Sequence, residues 1–254
     1  ISTYSEGMSG SCSPKDLETM LQLVYLYFTA PRADQEAFAS NMERTKAMLK
    51  NMELNPMITL SDTLNKVMYN NHPLTVRMKA EDYDKVDYAK AMEMYKDRFA
   101  DPNNFTFTFV GNIDLETFKP LVEKYLASLK KNKRKEDWKN IGLAVNDDNY
   151  VTHYRKEMQD PKTSVYMIYK GDMEYNLNNI VYMSVLSDVM DIVYTKSIRE
   201  EQGGTYGVGV MGDVLLRPTE SFMFYIVFDT NDEVYATLKD TAKAGLKDVA
   251  ENGP

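Results

Sequence analysis

Phe105-Thr106-Phe107-Thr108-Phe109 alternates apolar and polar residues without a slip. Successive side chains of an extended backbone point to opposite faces, so this stretch reads as a strand with one buried face. Gly111-Asn112 breaks the pattern. Asp114 then opens a helix running through Leu115, Phe118, Val122, Tyr125 and Leu129, with Pro120 expected to separate a short first turn from the main body. The same order (phenylalanine alternation, an acidic polar break, a helix) returns over Ser221 to Tyr235. Two such passages suggest a duplicated α+β unit. With 254 residues, 43% hydrophobic and 27% charged, the chain has room for one large or two small domains and can build a core without disulfide or metal.

The other elements follow from spacing. Ser13-Pro14-Lys15-Asp16 starts a helix that carries Leu17, Met20, Leu21, Val24 and Phe28 until Pro31 ends it. Residues 34–50 and 83–99 repeat the amphipathic pattern, with Asn70-Asn71-His72-Pro73 as a loop between them. Lys130 to Lys135 is a basic run, read as a solvated connector. Beyond it, strands are expected at Val151 to Glu157, Thr163 to Tyr169, Thr205 to Leu215 and Ser221 to Phe228. A long helix spans Asn176 to Arg199 and another starts at Asp232. The 17 methionines and 18 tyrosines fall mostly at core positions and read as packing.

Several chemistries fail on inventory. A net charge of −8 disfavours a nucleic-acid partner. The longest apolar stretch, Leu21 to Ala30, is far short of the ~20 residues of a membrane span. Only His72 and His153 are present, one before a proline in a loop and one on an expected strand. A catalytic zinc needs three convergent protein ligands, commonly including two histidines one helical turn apart, so no metal site is expected in this chain. Gly7-Met8-Ser9-Gly10-Ser11 has the wrong spacing for a nucleophile elbow. Cys12 lies beside a helix start, with no partnering histidine to argue for, and reads as an inert thiol. The chain begins at Ile1 without a leader pattern and stops at Gly253-Pro254, and it reads as a piece of something longer.

Gly203-Gly204-Thr205-Tyr206-Gly207-Val208-Gly209 follows a helix and precedes a strand, the reverse of a phosphate-binding loop. It fits a helix C-cap, with Gly203 or Gly204 left-handed, leading into a strand that another backbone approaches closely. From the residues alone, Arg199 would be a cation at a helix C-terminus and Tyr206 a side chain packed on the sheet. The wider segment Ser197-Ile198-Arg199-Glu200-Glu201-Gln202-Gly203-Gly204-Thr205-Tyr206-Gly207-Val208 resembles the Arg/Tyr signature in the non-catalytic half of the pitrilysin/insulinase family of zinc peptidases, with the two residues seven apart. Leu21 to Arg32 and Phe109-Val110-Gly111-Asn112-Ile113-Asp114 resemble two further family segments. Together they carry the likeness over nearly the whole chain.

The resemblance implies an α+β chain of two pitrilysin-like domains, each an antiparallel sheet packed on helices, both incomplete at the chain ends. Residues 1–133 would be most of the third family domain, 134–149 a charged linker, and 150–254 a truncated fourth domain. It further implies a catalytically inactive half that forms one wall of a substrate chamber and binds peptide through Arg199 and Tyr206. No catalytic residue and no metal ligand would lie in this chain. Zinc would sit in the parent's other half, either the N-terminal half of the same protein or a partner subunit, and the fragment alone would hydrolyse nothing. The family also contains subunits that only scaffold larger assemblies, which is the alternative. Exported bacterial relatives point to the periplasm or cell envelope.

Overall fold

The computed structural model describes residues 2–132, 135–149 and 151–253. The limits expected at 133/134 and at 150, and Lys133-Arg134 of the basic run, lie outside them. The chain divides into two compact units, residues 1–139 and 140–254.

The first unit contains α1 (Leu17–Thr29), α2 (Gln35–Glu53), α3 (Pro56–Met68), α4 (Tyr88–Arg98) and α5 (Leu115–Tyr125). Short polar side chains start most of them. Asp34 accepts from the Ala37 N–H, Asn55 from Met57, Asp87 from Lys90 and Asp114 from Thr117, each satisfying an orphan first-turn donor. The expected start at Pro14 is a single 310 turn, and α1 proper begins at Leu17. Of the expected 83–99 helix, α4 supplies only the later part, and 310 backbone at Ala80–Lys85 precedes it. No helix was expected over Pro56–Met68.

Pro120 does not break α5 as expected. The carbonyl it orphans belongs to Glu116, an exposed residue, so water replaces the missing partner. Helices α1 and α5 are joined by Tyr125, whose Oη donates to Glu18 at 2.7 Å and accepts from Gln22 at 3.0 Å. Phe28 of α1 meets Phe99, Phe105 and Phe107, with ring centroids 5.4, 5.0 and 5.8 Å apart. Residues 105–110 thus bury their phenylalanine face as the alternation requires. They form no strand, however, because among the described residues no backbone ladder reaches them.

The second unit holds a three-stranded antiparallel sheet, order β1-β3-β2, made of β1 (Thr163–Asp172), β2 (Val208–Leu215) and β3 (Ser221–Thr230), with α6 (Leu177–Tyr194) and α7 (Tyr235–Asn252). Register sets the core in rows: Val165, Phe228 and Val208; Met167, Ile226 and Val210; Tyr169, Phe224 and Gly212. The core also takes Met183, Met190 and Tyr194 of α6 and Leu238 and Ala242 of α7, so both helices pack on this face. Gly212 completes its row because a Cβ there would lie 2.5 Å from Met183 Sδ and 2.9 Å from Ser187 Oγ. Tyr194, wholly buried, donates from Oη to the Ala242 carbonyl at 2.8 Å and lies where a Cβ on Gly245 would touch its ring. The chain is therefore α+β, an antiparallel sheet packed against helices.

The expected strand at Val151 to Glu157 is absent. Those residues are exposed and carry no strand assignment, so their alternation has no buried face. The sheet strand expected from Thr205 starts only at Val208, because residues 205–207 close a hydroxyl-centred turn.

Candidate functional site: an anchored loop presenting an arginine and a tyrosine

The helix expected to run to Arg199 is α-helical only to Tyr194. Thr195–Glu200 continues it as a π-helical turn, in which the Glu201 N–H reaches back five residues to the Lys196 carbonyl at 3.0 Å. Such wide turns commonly close helices at their C-termini. Ile198 is wholly buried in the core while Arg199, next along, is exposed. The Gly203 N–H then donates to the Arg199 carbonyl at 3.1 Å, and Gly203 takes φ +64°, the left-handed cap expected for this turn.

Three further contacts fix the loop. Gln202 Nε2 donates to Thr241 Oγ1 of α7 at 2.7 Å. The Gly204 carbonyl accepts from Thr230 Oγ1 at the end of β3, at 2.6 Å. A Cβ on Gly204 would lie 2.8 Å from Leu238 Cδ1 and 3.2 Å from Val234 Cγ2. The close approach at Gly204 is thus made by Leu238 of α7 and by Val234 just before it, whereas in the strand that follows Gly209 faces the Val227 carbonyl oxygen, 3.9 Å from where a Cβ would lie. Thr205 Oγ1 donates to the Gly207 carbonyl at 2.9 Å and accepts from the Gly207 N–H at 3.2 Å. Val208 then re-enters the core.

Between the buried anchors Ile198 and Val208, Tyr206 is 99% exposed. It does not pack on the sheet. Among the described residues, no hydrogen bond or ion pair holds the Arg199 guanidinium or the Tyr206 hydroxyl, and none joins the two. Arg199 therefore forms no side-chain cap on the helix end it closes. A guanidinium carries five donors and a permanent charge, and a phenol carries one more donor. Held on one short anchored segment, both are available to an oxygen-bearing ligand.

The remaining candidates are not drawn together. His72 uses Nδ1 to accept from the Leu74 N–H at 3.3 Å, capping a 310 turn, and lies in the first unit, while His153 is exposed in the second. Among the described residues no three His, Cys, Asp or Glu side chains cluster as metal ligands. Cys12 is an exposed free thiol, and residues 7–11 form no strand or helix around Ser9. No helix of the described residues is long and apolar enough to cross a membrane. The loop's anchors Thr230 and Thr241 were not foreseen, since nothing local marks a threonine as the partner of a residue tens of positions away.

A zinc protease described as PQQL-like, from Arabidopsis thaliana, is 26% identical over 204 residues, covering 77% of this chain and 21% of the relative. A probable zinc protease PqqL of Haemophilus influenzae is 22% identical over 255 residues, covering 100% of this chain and 27% of the relative. The chain thus spans about a quarter of the length of the curated relatives it matches. The crystal structure of the periplasmic protease PqqL from Escherichia coli superposes with a TM-score of 0.79 at 20% identity, over 98% of this chain and 28% of that one, and shares its fold. The sequence profile of the Peptidase M16 inactive domain matches residues 85–254, a stretch that includes Arg199 and Tyr206, and the chain belongs to that family of inactive domains related to PqqL-like zinc proteases.

Proposed function

We propose that this chain is part of the catalytically silent half of a zinc endopeptidase, in which it forms one wall of the substrate chamber and supplies Arg199 and Tyr206 to the bound peptide. Residues on either side of the charged segment near 134–149 would correspond to the third and fourth domains of the parent. The zinc and general base would come from the other half, on the same polypeptide or a partner subunit, and the parent would work in the periplasm, as the Escherichia coli relative does. The observation that carries this reading is the exposure of Tyr206 at the tip of a loop tied down on both sides. The ring gives up the burial of its apolar surface, and no hydrogen bond among the described residues holds its hydroxyl.

Hydrolysis of a peptide bond places negative charge on the scissile carbonyl oxygen. Donors already aimed at that oxygen stabilise the transition state without reorganising, and removing one costs about 10²–10³ in kcat. In the full-length protein Arg199→Ala is expected to lower kcat/KM for a peptide by roughly a hundredfold or more. Tyr206→Phe, which removes only the hydroxyl, should give a smaller loss. Both side chains are exposed, so thermal unfolding should not change. Undiminished turnover by Arg199→Ala would instead leave the chain as a scaffold.

A further inference from the structure

We propose that Arg98 and Lys170 clamp the connector between the two units, one at each end, so that residues 135–149 form a strap held against proteolysis rather than a solvated linker. Regular structure does not hold this stretch, since residues 135–149 lie in no helix or strand. A run of small turns orders it locally. The Gly142 N–H donates to Asn140 Oδ1 at 2.9 Å, the Ala144 N–H to the Gly142 carbonyl at 3.1 Å, and the Asp148 N–H to Asn146 Oδ1 at 3.1 Å. Turns that span two residues do not anchor a chain to anything else. Exposed connectors without such an anchor are where proteases cut.

The first clamp lies within the first unit. Arg98, the last residue of α4, donates from Nε to Glu6 at 2.6 Å and from Nη1 and Nη2 to the two oxygens of Glu136 at 3.3 and 3.0 Å. One rigid fork thus grips the connector bidentately and braces itself on a second carboxylate. Isolated surface ion pairs contribute little, but bidentate geometry within a network is the exception. The Glu6 and Glu136 side chains are 22% and 23% exposed, so water competes weakly for them. Two residues from each glutamate, Tyr4 and Trp138 meet edge to face with ring centroids 5.8 Å apart. The second clamp lies within the second unit. Lys170 of β1 donates from Nζ to the Val145 carbonyl at 2.8 Å and pairs with the Asp147 carboxylate, which an ammonium with three donors can do at once. Leu143 and Val145 are half-buried there. Between the clamps Lys139 is exposed, a side chain that trypsin recognises.

Trypsin cleavage of the 254-residue chain after Lys139 is followed by mass, with a synthetic peptide of residues 135–149 as the unclamped reference. The chain should be cut there at least about tenfold more slowly than the peptide, because cleavage waits for the strap to open. Arg98→Gln and Lys170→Gln should each speed that cut about threefold or more, and the double variant should be fastest. Arg98→Lys keeps the charge but loses the fork, and should give a smaller acceleration in the same direction. Trp138, the single tryptophan, reports the first clamp by itself: its emission should move to the red in Arg98→Gln and stay put in Lys170→Gln. Gly204→Ala, which weakens the second unit away from both clamps, should leave the cut after Lys139 unchanged. Three results would each overturn the proposal: an unmodified chain cut as fast as the peptide, clamp variants cut no faster than the parent, or an acceleration shared equally by sites throughout the chain.

Discussion

Replacing Gly204 by alanine tests whether the Arg199–Tyr206 loop is held by packing. The new methyl carbon would sit 2.8 Å from Leu238 Cδ1, against the ~3.5–4.0 Å of a relaxed carbon contact, so one partner must retreat by roughly 0.7–1.2 Å. Leu238 is 1% exposed and has nowhere to go. The loop cannot lift freely either, because the Gly204 carbonyl is bound to Thr230 and Gln202 to Thr241. Overpacking of this kind costs about 1–3 kcal/mol, from which the lower entropy of the unfolded chain recovers ~0.4–1 kcal/mol. A net loss of up to about 2.6 kcal/mol is expected in urea unfolding, with a corresponding drop in Tm. Gly207→Ala, where a Cβ meets nothing within 4 Å, serves as the control and should stay within about 0.5 kcal/mol of the parent. Leu238→Ala combined with Gly204→Ala should cost less than the two singles added, since the smaller side chain makes room. A Gly204→Ala protein more stable than the parent would refute the close approach and, with it, the idea that α7 positions the loop.

Tyr194→Phe removes a buried hydroxyl that donates to the Ala242 carbonyl, and should destabilise by about 1 kcal/mol in the same assay. Phe28→Ala strips the ring that Phe99, Phe105 and Phe107 pack on. Because Phe28 is only half-buried, the loss should fall at or below the lower end of the ~3–5 kcal/mol seen for core phenylalanines. Burial pushes the Asp229 carboxyl up, but hydrogen bonds from Lys162 and Ser164 outweigh it and leave the group below the usual carboxylate range. A carboxyl depressed in the folded state stabilises above its unfolded pKa of ~3.9, and that contribution is lost as pH falls through the folded value. Thermal unfolding of the parent should therefore fall more steeply than that of Asp229→Asn as pH drops from about 5 to 3.

Where a segment's structure is fixed by its own neighbours, the sequence was enough to read it. Asp34 and Asp114 stand at the starts of expected helices and do cap them, and the alternation in Ser221–Phe228 does place Phe222, Phe224, Ile226 and Phe228 on the core face. The cap and proline at Asn55-Pro56 were as legible as those at Ser13-Pro14, and α3 could have been read from them. Elements that depend on a distant partner were not legible. Val151 to Glu157 and residues 105–110 have strand-like patterns, yet a strand exists only where another backbone supplies the ladder. The π-helical turn is equally hidden, since nothing in the residue types of Thr195–Glu200 distinguishes it from the α-helix before it.

That last feature bears on what the loop is for. A regular α-helix carried on to Arg199 would advance ~100° per residue, and the position of each side chain would follow from the stripe begun at Met183 and Met190. At that pitch Ile198 falls roughly 60° and Arg199 roughly 160° from Met183, so Ile198 extends the inner stripe and Arg199 points away from it. Gly203 and the Thr205 turn then reverse the chain with Tyr206 left outside. Stability is supplied by Ile198, Val208 and Leu238, none of which faces solvent. The two exposed side chains can therefore be changed without cost to the fold, and the fold can be weakened through Gly204 without touching either donor. Activity lost at constant Tm in Arg199→Ala, set against Tm lost in Gly204→Ala, would separate the chemistry of the pair from the packing that holds it.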